Sequence, residues 1–232
     1  MSRLTRAPAP PLVFVAAAVA CLAGSGRALA GVPRPKPPSA AVRAATASAQ
    51  RALLRRPDLG AGWSSVSAAP ARAASLTCSA DHSVLAAAAS ATWSRRSADV
   101  FASGTSYGYT GVAAERRAWQ RTGSGGMGPC LERLLAAGSG RGVRLTASGV
   151  RRLGGPKLGS GAHGAAVRRY RVSGVASGNG QQTSVALDVV LVAAGSWIAE
   201  DEFTAAQTSP ADALEARVVG AQARRAIGSS AH

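Results

Sequence analysis

The sequence predicts an α+β domain, an antiparallel β-sheet with helices packed on one face. Three observations lead there. Residues 181–206, QQTSVALDVVLVAAGSWIAEDEFTAA, hold two apolar runs about a glycine-containing turn, the pattern of an antiparallel hairpin. Two further β-like runs, Val143–Leu153 and Ala165–Val175, precede it without an intervening helix, so four successive strands build the sheet. Helical spacing brackets these strands at 41–55 and 212–227.

The first thirty residues read as an address. Arg3 and Arg6 form a positive start, Pro11 to Leu22 an apolar run, and Ala28-Leu29-Ala30 places small residues before Gly31, as in a secretory signal peptide. The apolar run is short for a transmembrane helix, and no later stretch reaches ~18 uninterrupted apolar residues. Cys21 offers a second boundary, because Ala18-Val19-Ala20-Cys21 loosely resembles a lipoprotein signal with Cys21 as the lipidated residue. The expected organisation is a signal peptide at 1–30, a Pro-rich linker at 31–40, one exported domain at 41–228 and a disordered tail at 229–232.

Within the domain, Val42, Ala45, Ala49, Leu53 and Leu54 mark a helix over 41–55, stopped by Pro57 and Gly60. A turn then delivers Trp63, which by itself reads as a core anchor. Ser83–Ala89 reads as a short helix, and Ala91–Arg95 and Val100–Tyr109 as strands, the second with Phe101, Tyr107 and Tyr109 on one face. Gly111–Arg121 is expected to be a helix with Val112, Ala113 and Trp119 inward and Glu115, Arg116 and Arg117 in water. Pro129–Ala137 is a second short helix. In the hairpin, Ser184–Val192 is apolar on both faces and belongs in the middle of the sheet. Trp197–Thr204 carries acids on both faces, which places it nearer an edge. Asp212–Ile227 closes the domain as a helix, started by Ser209-Pro210 and stopped by Gly228.

The 232 residues carry a formal charge of +16, or +13 once Arg3, Arg6 and Arg27 leave with the signal peptide (24 basic against 11 acidic residues). Such a charge favours anionic partners: phospholipid headgroups or acidic envelope polymers. Arg144, Arg168, Arg169 and Arg171 are the candidate anion-binding residues, on two neighbouring strands. Nucleic acid is not expected, since only Tyr170 is interleaved and export removes such partners. The acids Asp188, Glu200, Asp201 and Glu202 concentrate in the hairpin, as cross-strand partners for the arginines or, in a third reading, as hydrolase acids near Asp188 and Asp201.

Several chemistries lack their pattern. Once Cys21 is removed or lipidated, Cys78 and Cys130 remain, and in an exported chain they are expected to form a disulfide. A cysteine nucleophile with His82 or His163 would need a reduced thiol. Two cysteines and scattered histidines fall short of a zinc site, so no metal and no cofactor is expected. Residues 159–164 spell GxGxxG, but a strand-like run follows instead of the helix a dinucleotide needs. Residues 104–108, GTSYG, match the letters of G-x-S-x-G but lie inside the run read as a strand and not at the strand-to-helix turn of a nucleophile elbow, and no enzyme is expected.

The order of features resembles a known group. "LLRRPDLGAGW" leads to a cysteine and then to "SATWSRRSADVFASGTSYGY"; "PCLERLL", "LGSGAHGAAVRRYRV" and "VALDVVLVAAGSWIAEDEF" follow. Residues 41–227 resemble the exported domains of actinobacterial envelope proteins, including the extracytoplasmic sensor domain of PknH-type kinases and related small lipoproteins. The resemblance implies an antiparallel sheet with helices against it and a non-enzymatic, ligand-sensing role. It carries no binding residues over. One disulfide stands where two are expected, and no kinase domain accompanies it, so signalling through this chain itself is not expected.

The functional expectation is an exported, non-catalytic cell-envelope protein, released or anchored through Cys21. It binds a small or lipidic ligand in a cleft lined by Trp63, Tyr107, Trp119 and Trp197. The alternative is an interaction module whose arginine-rich face docks an acidic partner.

Overall fold

The computed structural model describes residues 38–69, 78, 83–95, 97, 99–123, 125–139, 142–156 and 164–227. The expected signal peptide, Cys21, His82, Ser160, His163 and the tail lie outside them. Among the described residues, five helices and eight strands follow in the order α1 (Ala40–Ala52), α2 (Arg56–Leu59), β1 (Ser64–Ser67), β2 (Ala86–Ala89), β3 (Thr92–Arg95), β4 (Val100–Gly108), α3 (Val112–Arg121), α4 (Met127–Ala137), β5 (Arg144–Leu153), β6 (Ala166–Gly178), β7 (Gln181–Ala194), β8 (Trp197–Ala206) and α5 (Asp212–Ile227). All strands join one antiparallel sheet in the order β1-β3-β4-β8-β7-β6-β5. β2 pairs with the Thr105–Gly108 part of β4, beside β3 on Val100–Ala102.

The α+β class with an antiparallel sheet is therefore as expected, and the opening hairpin is its centre. Ala194 pairs with Trp197 across a two-residue turn in which Gly195 takes φ 67°, a conformation that glycine adopts without a Cβ clash.

Helices cover both faces of the sheet, which corrects the expectation of one. Side chains alternate along β7. Val190, Val192 and Ala194 pack with Leu214, Val218 and Val219 of α5 and Ala52 of α1. Val185, Leu187, Val189 and Leu191 point the other way, against Met127, Leu131 and Leu135 of α4. A strand that is apolar on both faces must be covered on both, since each exposed Val or Leu forfeits roughly 1.5–3 kcal/mol of burial.

Three local expectations change as well. β8 is not near an edge: β4 covers its outer side along nine residue pairs, from Val100–Ala205 to Gly108–Trp197. Ser83–Ala89 yields strand β2, because four alanines carry no helical stripe and the free edge of β4 offers backbone partners. In α3 the inner side is Ala114, Glu115 and Ala118, while Val112 is half exposed at 50%. Helix α1 ends at Ala52 and its place is set by glycine: Gly108 lies directly under the Ala45 carbonyl, with no room for a Cβ.

The Cys78–Cys130 disulfide forms as expected, with Cα atoms 5.5 Å apart, and ties the chain before β2 to the first turn of α4. Among the described residues, no helix is long and apolar enough to cross a membrane.

Candidate functional site

The pleat of β8 divides the four hairpin acids into two pairs. Asp188 pairs with Phe203 and Val190 with Asp201, so these two acids face α5. Glu200 and Glu202 face the opposite side.

Asp188 is fully buried and held by two arginines. Arg171 grips it with Nε at 2.6 Å and Nη2 at 2.6 Å, and Arg169 reaches it with Nη2 at 2.7 Å. Arg169 also meets Glu215 at 2.6 Å and Asp212 at 2.7 Å, so it straps the start of α5 to the sheet. Burial works against the Asp188 charge, but the Arg171 and Arg169 hydrogen bonds outweigh it and hold its carboxyl below the usual range. Of the four acids expected to partner the arginines, Asp188 does so, and as an interior group with Arg169; Asp201 turns to Gln222, Glu200 to Tyr107 and Glu202 to Ser103. Arg168, one residue earlier, takes the other face.

Asp201 is also fully enclosed, and no arginine satisfies it. Gln222 Nε2 donates to its Oδ1 at 3.2 Å, while Asp201 Oδ2 and Gln222 Oε1 are buried acceptors with no partner. Arg225, the nearby cation, is spent on Asp58 at 2.6 Å. Burial pushes the Asp201 carboxyl up to about 8. A protonated Oδ2 can donate to Oε1 and close an acid–amide pair, which satisfies both orphaned acceptors. The hydrolase reading through Asp188 and Asp201 fails on this geometry, because both carboxyls are sealed from any substrate.

The opposite face holds the candidate site. Tyr107 of β4 donates to Glu200 Oε2 at 3.2 Å, and Ser103 reaches Glu202 Oε2 at 3.5 Å. Burial and then the Glu200 carboxylate raise the Tyr107 phenol above its ordinary value. Burial and then Glu200 push Glu202 up to about 7. Helix α3 covers Tyr107 and Ile198 at one end of this face. Beyond it Phe101, Ser103, Thr105, Glu202 and Thr204 stay half-buried, a polar floor on β4 and β8. Such a floor offers three hydroxyls, the Glu202 carboxyl and the Phe101 ring, while the Tyr107 phenol is buried at its edge under α3. Glu115 on α3 is buried near this side, and desolvation pushes it up to about 7.

The aromatic candidates do not share a cleft. Trp63 and Trp197 are buried at 2% and 3% exposure on the α5 side, packed with Leu54, Leu59 and Phe203. Tyr107 and Trp119 lie across the sheet. Alternation along the strands puts β4 and β8 between the two pairs, so only Tyr107 joins the floor.

The arginine candidates separate in the same way. Arg168 stacks over Trp119 at 4.3 Å and donates to Trp119 O and Thr122 Oγ1, capping the C-terminal end of α3. Arg169 and Arg171 are consumed on the α5 side. Arg144 is exposed and lines an open groove of about 630 Å³ between α4 and β5, with Arg133, Glu132, Ser139 and Thr146. The two-residue period of β8 already set Asp201 apart from Glu200 and Glu202 in the sequence; Ser103 and Thr105 were missed, although the same period along β4 puts them on the face of Phe101 and Tyr107. Among the described residues, no three His, Cys, Asp or Glu side chains are grouped to hold a metal ion.

Fold and site define a class: an α+β protein on one open antiparallel sheet, with ion pairs under one face and a polar floor on the other. No family model, no curated protein and no solved structure matches this chain.

Proposed function

We propose that this is an exported, non-catalytic envelope protein that works by binding an anionic envelope component through its arginine surface. The observation that carries this is the sorting of charge. Of ten described acids, Asp58, Glu115, Asp188, Glu200, Asp201 and Glu215 are buried. Of eighteen described arginines, fourteen are exposed. The surface is therefore more cationic than the formal charge suggests, and the raised carboxyls of Asp201, Glu202 and Glu115 add to this near neutrality. Val66 and Val112 are the exposed large apolar residues among those described, so contact with a partner is electrostatic at first. At physiological ionic strength the purified protein should bind an acidic polymer or anionic vesicles, with affinity falling steeply as salt rises. Failure to bind any anionic probe there would remove the reading.

A small or lipidic ligand on the polar floor is the second reading, favoured by the half-buried Ser103, Phe101 and Glu202 beside the Tyr107–Glu200 hydrogen bond. The resemblance to ligand-sensing envelope domains points the same way. Native mass spectrometry of protein from its own envelope fraction tests it. A surplus mass lost on denaturation, and absent from a Tyr107→Phe/Glu202→Gln variant, is expected. A bare chain mass under gentle conditions would count against it.

A further inference from the structure

We propose that the outer face of α3 docks on an anionic phospholipid bilayer, at the end of the molecule where the N-terminal tether enters. The proposal rests on the anionic-partner reading and names its surface and its partner.

The geometry begins with chain direction. Ala45 of α1 packs on Gly108, Ala49 O accepts from Ser106, and Leu54 lies over Gly104. Helix α1 therefore runs antiparallel to β4, and its first turn projects past the Gly108 end of the sheet. Gly108 pairs with Trp197, so this is also the end of the β7–β8 turn, and Ser48 meets Ser196 there at 3.2 Å. Helix α3 starts four residues after Gly108, and its Ala114 and Ala118 pack on Ala193 and Ile198 beside the same turn. The chain entering through Pro38 and Ser39 and the helix α3 thus share one end.

The chemistry of that end suits lipid headgroups. Val112, Ala113, Arg116, Arg117, Gln120 and Arg121 form one exposed strip of α3. Its one acid, Glu115, is turned inward at 7% exposure, so the strip presents positive charge and no negative charge. Val112 adds a half-exposed apolar side chain at the start of the strip. Arg43 in the first turns of α1 is exposed at the same end. The two exposed acids among the described residues lie elsewhere. Asp99 stands at the Val100 end, where Ala206 N donates to its carbonyl, and Asp212 is ion-paired to Arg169 across the sheet. A chain tethered at its N-terminus would bring this end, with Arg43 and α3, toward the bilayer. A soluble acidic polymer has no reason to prefer this end over the arginines elsewhere. Each arginine close to an anionic surface adds about fivefold to the affinity, enough for a reversible peripheral contact.

The experiment is co-sedimentation of the purified full chain with phosphatidylglycerol–phosphatidylcholine vesicles, against vesicles of phosphatidylcholine alone. Wild type is expected to bind the first and not the second. Arg116→Glu/Arg117→Glu should lower that binding by about tenfold or more. Arg56→Glu/Arg224→Glu carries the same charge change at the other end of the molecule, where the last turn of α5 meets the end of α1, and should leave binding within about twofold of wild type if position matters. Circular dichroism spectra and thermal midpoints verify that both pairs of exposed substitutions leave the fold intact. Equal loss in both variants, or no loss in the first, overturns the proposal. If wild type ignores the vesicles but binds polyglutamate, the lipid surface is wrong and the anionic-partner reading survives. If it binds neither, both fall.

Discussion

Asp201 is the residue whose chemistry departs most from its appearance in the sequence. In a solvated hairpin it would be one more negative charge. In the fold it sits fully buried against Gln222, with its carboxyl pushed up to about 8. The folded state therefore holds a proton that the unfolded chain releases near pH 4. Stability falls as pH rises between about 4 and about 8, by ~1.4 kcal/mol per unit for this one group, and is flat above. Asn at 201 reproduces the donor and acceptor of the protonated acid. Asp201→Asn should fold, and denaturant melts across that pH window should lose one proton's worth of slope. An unchanged slope would show that Asp201 is ionised in the fold. Arg169 gives the opposite case. Replacing it by Met leaves Asp188 and Glu215 buried beside one remaining cation, with an expected loss of roughly 3–5 kcal/mol in urea unfolding. A loss below 1 kcal/mol would mean that Arg171 alone compensates both acids.

At the scale of elements, glycines decide how closely helices and strands approach. A Cβ on Gly108 would collide with the Ala45 carbonyl, and one on Gly174 would sit 2.6 Å from Thr146 O and 2.7 Å from Leu135 Cδ2. Gly108→Ala should push α1 off β4 and lower stability by about 1–3 kcal/mol or more, because backbone cannot yield as a side-chain tip can. Gly111→Ala is the control: nothing lies within 4 Å of its Cβ position and its φ of 167° suits any residue, so its effect should stay within about 0.5 kcal/mol. Thermal melts of the two variants give the comparison, and similar midpoints would refute the close-approach account. Element existence was legible wherever a period was long and apolar, as in β6, β7, β8 and α5. It was not legible at 83–89, where alanines carry no period and only the open edge of β4 makes a strand.

At the scale of the molecule, one covalent tie holds a distant segment to α4. The disulfide closes a sequence separation of 52 residues, for which loop entropy gives ~4 kcal/mol. Cys78→Ser/Cys130→Ser, or the reduced wild type, should unfold at clearly lower urea concentration while keeping a similar far-ultraviolet spectrum before the transition. Unfolding at the same concentration would mean that the reduced chain already holds the segment in place. The charge distribution belongs to this scale too. Acids collect at the hairpin and arginines everywhere in the sequence, yet only the folded chain sends most acids inward and leaves the surface cationic.

The sequence by itself determined the class of the domain, the central hairpin, the closing helix and the cysteine pairing, because each rests on a local period, a turn residue or simple counting. The face of each side chain within a strand was legible too. What covers that face was not. Whether β8 is an edge depends on β4, about a hundred residues away, and whether helices lie on one side or two depends on where α4 and α5 dock. The tertiary structure alone decided that Asp188 and Asp201 are sealed, that Trp63 and Tyr107 are on opposite sides of a sheet, and that α3 shares an end with the start of α1. Burial and proximity come from contacts between residues far apart in the chain, and a one-dimensional pattern encodes those contacts only as a requirement that something must cover an apolar face.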